Sequence, residues 1–272
     1  MVVKPLNRLI NLISRGLTVL LNRGPDRVFL LVVRYLSWKL RFQSRVSNLP
    51  PKLNYTITVI TITFVRGTIR LFHLVAPDKY TDADPYEVLY VDPNEITSIS
   101  GLHDKKRRGW VVDGNWDENL DRFMDQPIPT AIRQHYEKGK QWDETVLVDE
   151  YDNHDRFKQK CKKIEQLHDR IANDGFRSQC ELYAEAPEAT VQRANATMSP
   201  RTNEITVDIG RNGEVLWNML GKHRLSLAKV LDIDEVPVLV FTRHRKWQDI
   251  RNKSKIDVDE YCKYQNHPDS GF

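Results

Sequence analysis

Residues 204–241, EITVDIGRNGEVLWNMLGKHRLSLAKVLDIDEVPVLVF, constrain the fold more than any other stretch of the chain. Ile205, Val207 and Ile209 alternate with Thr206 and Asp208, the period of a half-buried strand. Asn212-Gly213 is a two-residue hairpin signal. Val215, Leu216 and Trp217 then supply the returning strand. Gly221-Lys222-His223-Arg224 opens a helix that carries Leu227, Ala228 and Leu231 at helical spacing. Val236 to Phe241, entered through Pro237, closes the unit as a strand. The pattern predicts an α/β (α+β) domain with strands at 205–209, 215–219 and 236–241. It also predicts a helix beginning within two residues of Arg224.

The chemistry of Gly221, Lys222, His223 and Arg224 suits an anion, usually a phosphate. The first backbone N–H groups of a helix have no partner inside it, and the positive end of the helix dipole lies there. Gly221 would let the ligand approach the backbone, and Lys222 and Arg224 would neutralise its charge. His223 titrates near neutrality and is the candidate catalytic group, as acid, base or phosphate contact. The same residues also suit a plain helix start with exposed cations, with His223 holding its neighbours by hydrogen bonds.

The stretch resembles the second signature of the ParB/sulfiredoxin superfamily, Gly-X-X-Arg-X-X-X-Ala followed by a helix and an Asp-Glu-Val-Pro-Val strand. Here these are Gly221, Arg224, Ala228 and Asp234 to Val238. Upstream, Lys163 to Ile171 followed by Asn173-Asp174-Gly175-Phe176-Arg177-Ser178-Gln179 is similar to the first signature of that superfamily. Tyr86 to Ile96 resembles its opening strand and the loop after it. The resemblance spans roughly residues 84–245, with an insertion at about 105–155. The layout of the insertion, with Gly-Asn-Trp-Asp at 114–117 before the first signature, resembles a group of archaeal and viral ParB-like proteins.

The resemblance implies a loop at Arg177, Ser178 and Gln179 facing a nucleotide, although Gly175 is also explained by helix C-capping. It implies a nucleoside triphosphate, with Mg²⁺, as a candidate ligand. It is fairly specific for fold and poorly specific for activity, because the superfamily includes nucleotide-hydrolysing clamps, sulfinic-acid reductases, a serine kinase and nuclease-like members. Two departures narrow it. Sulfiredoxins carry a catalytic cysteine directly before the His-Arg pair, and here Lys222 stands there, so sulfinic-acid reduction is disfavoured. ParB proteins carry further DNA-binding and dimerisation domains after the core, and 27 residues follow Arg245, so a partition clamp is disfavoured.

Charge is distributed unevenly. Residues 1–50 hold nine Lys/Arg and one acid, Asp26, whereas the remainder is net −4, so the chain is a basic arm on a mildly acidic body. Residues 1–22 and 27–43 read as helices around the Gly24-Pro25 break. VFLLVVRYL at 28–36 is too short to span a bilayer and suits an amphipathic or buried helix. Residues 54–64, YTITVITITFV, are rich in β-branched residues and predict a strand, with a turn at Gly67 and a second strand from Ile69 to Val75. A polar linker is expected at 76–85. The domain boundaries are therefore an arm at 1–50, a strand pair and linker at 51–83, a core at 84–245 and a polar tail at 246–272.

The insertion predicts a Trp-rich subdomain, with a strand from Trp110, a helix around Phe123 and another at about 130–138. Trp110, Trp116 and Trp142 suit either a stacking surface or a satellite core. Asp208 and Asn218 are candidate Mg²⁺ ligands or solvated surface residues. His103-Asp104, His154-Asp155 and the three cysteines lack metal-site spacing, and the cysteine usage suits a reducing cytoplasm. Lys105 to Arg108 forms a basic run suited to a polyanion or to a solvated loop.

The leading functional expectation is a protein that binds a nucleotide or phosphoester, as a phosphohydrolase or phosphotransferase. The first rival is a non-catalytic nucleic-acid-binding or regulatory module, suggested by the two basic segments. The second is a peripheral membrane protein held on anionic lipid by residues 1–45.

Overall fold

The computed structural model describes residues 51–103, 107–186 and 203–270. The basic arm, with its two expected helices, lies outside them. The described chain is mixed α and β. A five-stranded sheet is built from β1 (Val88–Val91), β2 (Trp110–Val112), β3 (Ile205–Ile209), β4 (Val215–Trp217) and β5 (Val236–His244). The helices are α1 (Pro51–Val75), α2 (Pro127–Tyr136), α3 (His154–Asp174), α4 (Gln179–Glu185), α5 (Lys222–Val230), α6 (Arg245–Ser254) and α7 (Val258–Tyr264).

β5 organises the sheet. β3 runs parallel along one side of it, and β4 pairs antiparallel with β3. On the other side β1 pairs antiparallel with Val236–Leu239, and β2 pairs parallel with Thr242–His244. All nine residues of β5 are buried. Its apolar run VPVLVF is what a strand covered on both faces requires.

β3 departs from the half-buried strand its alternation predicts, because all five of its residues are buried. Thr206 and Asp208 are tolerated inside because both are hydrogen-bonded, the condition for burying polar groups. Thr206 Oγ1 accepts from the backbone N–H of Leu220 at 2.9 Å. Asp208 Oδ1 accepts from Thr242 N at 3.0 Å, at a register irregularity between β3 and β5. Its Oδ2 accepts from Asn218 Nδ2 at 2.8 Å. Asp208 and Asn218 are therefore interior partners of one another, and neither is a solvated surface residue.

Three apolar clusters hold the layers together. The sheet packs Val207, Val238 and Val240 with Phe123, Leu225 and Trp247. A helical cluster joins Ile132 of α2, Phe157 and Ile164 of α3 and Leu227 of α5. α5 thus has a sheet side and a helix side, and it fixes one layer on the other. The third cluster sets Val65 and Ile69 of α1 against Tyr80 and Trp110.

Residues 54–75 are helix rather than the expected strand pair. Strand propensity is a weak prior that packing overrides. Val65, Ile69 and Phe72 recur at helical spacing, and that stripe is what Tyr80 and Trp110 cover. Gly67 accordingly lies within the helix instead of at a turn.

The expected linker is built into the fold as well. Tyr80 bridges Trp110, and buried Thr81 donates to Gln248 Oε1 at 2.8 Å. The insertion is equally integral and forms no separate subdomain. It contributes β2 to the sheet, Phe123 to the sheet core and Leu147 to the helical core.

The polar tail at 246–272 is, over its described residues up to 270, docked through buried charge. Arg243 and Asp269 form an ion pair in which both side chains are 2% exposed. Asp269 also accepts from Trp247 Nε1 at 2.8 Å, and Arg251 donates to the Asp269 backbone carbonyl. Burial works to raise the Asp269 carboxyl, but Arg243 and Arg251 outweigh it and hold the group below the usual carboxylate range. His267 Nδ1 accepts from Asp269 N, so its Nε2–H donates to Gly213 O at 2.8 Å. A polar composition concealed this anchor because the buried atoms are themselves polar.

Candidate anion site at the start of α5

Gly221 delivers the chain from β4 into α5 with φ at +79°. A Cβ there would lie 2.6 Å from Ile205 Cγ1 and 2.8 Å from its Cα. Only glycine tolerates both the left-handed backbone and this approach to β3. Gly221 is thus required by the packing of the α5 turn on Ile205. It also leaves the first turn of α5 without a side-chain cap.

Arg224 is held inside the protein. Its Nη1 donates to Glu204 Oε2 at 2.8 Å and its Nη2 to the Arg177 carbonyl at 2.8 Å. Its guanidinium lies 4.7 Å from the centroid of the Phe176 ring. Glu204 is fully buried, and burial raises its carboxyl above the ordinary value against the opposing pull of Arg224. Glu204 also accepts from Gln179 N. One arginine and one glutamate therefore clamp the 176–179 loop to the entrance of β3 and the start of α5.

The loop residues have local partners too. Arg177 pairs through both terminal nitrogens with Glu185. Ser178 caps α4 in a reciprocal capping box with Glu181. The loop does meet the Gly-X-His-Arg turn, as its sequence implies, but Arg177, Ser178 and Gln179 are engaged in shaping it.

His223 behaves differently. Its ring is partly exposed, yet Nε2 is buried and has no hydrogen-bond partner among the described residues. Burial, then Lys160 of α3, then Lys222 push its pKa down to about 4. The imidazole is therefore neutral at pH 7. Lys160 is itself lowered, first by burial and then by Lys163 and Lys222. Among the described residues, the charges that shift His223 are both positive. Lys222 Nζ also sits 5.1 Å from the Trp217 ring centroid. An uncapped helix start, a buried imidazole nitrogen and two lysines thus converge on one turn.

Sequence reading missed Lys160 and Glu204. Lys160 belongs to the run Lys158-Gln159-Lys160-Cys161-Lys162-Lys163, whose cation density was a usable signal. Glu204 is a single acid before a strand, and nothing in its context marks it.

Other candidates separate in space. Trp110 packs with α1, while Trp142 stacks on His135 at 4.1 Å and donates to Glu165 at 2.7 Å. Trp116 lies 5.7 Å from His244. The three form no common stacking surface. Arg108 of the basic run is buried between the rings of Tyr86 and Phe241, at 4.2 and 4.3 Å. Arg107 is 5.0 Å from the Trp110 ring centroid. At least this half of the run belongs to the fold. Gly-Asn-Trp-Asp at 114–117 is a clasp in which Arg211 binds Asp117, the Gly114 carbonyl and Asn115. Among the described residues no three His, Cys, Asp or Glu side chains group as metal ligands. No family model, curated protein or solved structure matches the chain.

Proposed function

We propose that the first turn of α5 binds a phosphate group of a nucleotide or other phosphoester, within a domain of the ParB/sulfiredoxin-like type. The observation that carries the reading is the convergence of Lys160 and Lys222 on the partnerless Nε2 of His223, at a helix start with no side-chain cap. Lys160 and Lys222 act unfavourably on one another and on His223 in this partly buried turn. An anion would relieve that repulsion and accept hydrogen bonds from the backbone N–H groups of the turn.

The roles divide differently from those the sequence suggests. Lys160 and Lys222 supply charge, and His223 is the group placed to donate to or accept from a phosphate oxygen. Arg224 positions the 176–179 loop by holding Glu204. Phosphoryl transfer requires mainly positioning and positive charge from protein, so hydrolysis or transfer is the matching class of reaction. The lysines and amides suit phosphate oxygens and provide no oxygen ligands for Mg²⁺. A Mg²⁺ ion accompanying a nucleoside triphosphate would therefore be held by the phosphates themselves.

Calorimetric titration with ATP and with inorganic phosphate tests this reading. Replacing both Lys160 and Lys222 by alanine should weaken binding more than about tenfold, since each charge-assisted hydrogen bond is worth roughly 1.5–3 kcal/mol and about 1.4 kcal/mol is tenfold. A folded double variant that binds as the parent does would refute it.

A further inference from the structure

The first 75 residues of the chain contain twelve Lys/Arg and one acid, Asp26. α1 belongs to this stretch and contains Lys52, Arg66 and Arg70 with no Asp or Glu. It carries two apolar stripes. Val65, Ile69 and Phe72 face the body, against Tyr80 and Trp110. Roughly opposite, Ile60, Leu71, Leu74 and Val75 lie on the outer side and are 57%, 58%, 80% and 78% exposed. At about 1.5 Å per residue the outer stripe runs for roughly 22 Å. Gly67 lies along the same line with open space beside it. Arg70, also exposed, flanks the stripe.

Large apolar side chains gathered along one outward line are a signature of an interaction surface. The surface is a convex helix face, which suits a planar partner better than a partner that needs a groove. Charge decides among the occupants. A second copy of the chain would bring a second acid-free basic helix against the first. Residues 1–50, at net +8, would add like charge to it. An anionic surface complements both the helix and the segment before it. No helix among the described residues is long and apolar enough to cross a membrane, so the contact that fits is one lying along a bilayer.

We propose that α1 docks on the surface of an anionic lipid bilayer, burying Ile60, Leu71, Leu74 and Val75 among the acyl chains with Arg70 at the headgroups. The basic segment before α1 adds electrostatic attraction. The apolar stripe determines the depth and the orientation of the body. This contact is independent of the α5 turn.

The test is flotation of the full chain with vesicles of phosphatidylcholine alone and of phosphatidylcholine mixed equally with phosphatidylglycerol. The expected result is binding to the mixed vesicles and little to the neutral ones. Leu71→Asp with Leu74→Asp should reduce that binding at least about tenfold, because it removes two inserted side chains and adds two negative charges. The thermal melt should hold, since both positions are exposed. A second readout needs no charge change. In a Leu74→Trp chain, brominated lipid should quench fluorescence beyond the quenching in the parent. Absence of binding to mixed vesicles overturns the proposal, as does equal binding by the double variant. A parent that sediments as a dimer while the double variant sediments as a monomer also overturns it, and assigns the stripe to a second copy.

Discussion

Cations that are buried or partly buried occur at both ends of the closing α5–β5–α6 segment, and the two ends treat them in different ways. Beyond β5, Arg243 and Arg251 enclose Asp269, and Arg251 also approaches Asp82 at 3.8 Å. Asp82 in turn pairs with Lys255 and accepts from Gln248. There, positive groups meet carboxylates, and the result is an anchor. At the start of α5, Lys160 and Lys222 act on His223, and both push its charge in the same direction. At the same start of α5, Arg224 belongs with the anchors because Glu204 holds it. A cation matched by a carboxylate explains itself as architecture. The buried Nε2 of His223, beside Lys160 and Lys222, has no hydrogen-bond partner among the described residues, and the anion proposal rests on it.

The contrast is broken most forcefully at Asp269. Asp269→Ala leaves Arg243 and Arg251 buried without their carboxylate, and should destabilise the fold by about 3–5 kcal/mol. Denaturant unfolding measures the loss. Phosphate affinity of the folded fraction should not change, and a parallel fall would mean that the two ends are coupled.

Arg224→Ala is expected to cost about 3 kcal/mol by stranding Glu204. Glu204→Gln combined with Arg224→Met should recover part of that loss. If Arg224→Ala instead keeps full stability and loses only phosphate binding, Arg224 is a ligand-binding residue and the division between the clusters is misdrawn.

A smaller effect follows from His223. Its folded pKa of about 4 lies below the ordinary value of 6.5. The unfolded chain therefore takes up the proton first, and stability is complete above the unfolded pKa. As pH falls from 6.5 to about 4, roughly 2–3 kcal/mol should be lost. Unfolding free energies measured across that window should lose this slope in His223→Asn. Asp269 is lowered, so its contribution declines only at still lower pH, through and below the usual carboxylate range. The two ends should thus respond in separate pH windows.

The smallest stability effect is expected from Lys160→Ala. With no anion bound, it should leave stability within about 0.5 kcal/mol, or raise it slightly, because a like charge near His223 is gone. Thermal melts with and without phosphate check this, and the protection given by phosphate should shrink in the variant. A large loss without phosphate would place Lys160 among the anchors.

The elements from β3 to β5 were legible because each carried its own signal. Alternation marked β3, Asn212-Gly213 marked the turn, and Leu227 with Ala228 marked α5. α1 was misread because Thr alternates with β-branched apolar residues in Thr56 to Val59 and in Ile60 to Thr63, although helical spacing governs its packing from Val65 onward. The C-terminal anchor was illegible because its buried side chains are charged, and their partners lie across the fold rather than nearby in sequence. The candidate site was legible in part. Gly221, Lys222, His223 and Arg224 mark its position, but dividing them between scaffold and ligand depends on Glu204 and Lys160, which come from other elements. Local spacing carries no record of such pairings.

The proposal for the α5 turn stands or falls on whether an anion binds beside His223. The most direct measurement is the pKa of His223, followed by NMR of its ring Cε1–H in the full chain, with and without saturating ATP or inorganic phosphate. Without anion, the account predicts a value near 4. With anion, it predicts an upward shift, because a negative charge beside Nε2 favours the imidazolium. A histidine that titrates near 6.5 from the start, or one that titrates unchanged when phosphate is bound elsewhere on the protein, would contradict it.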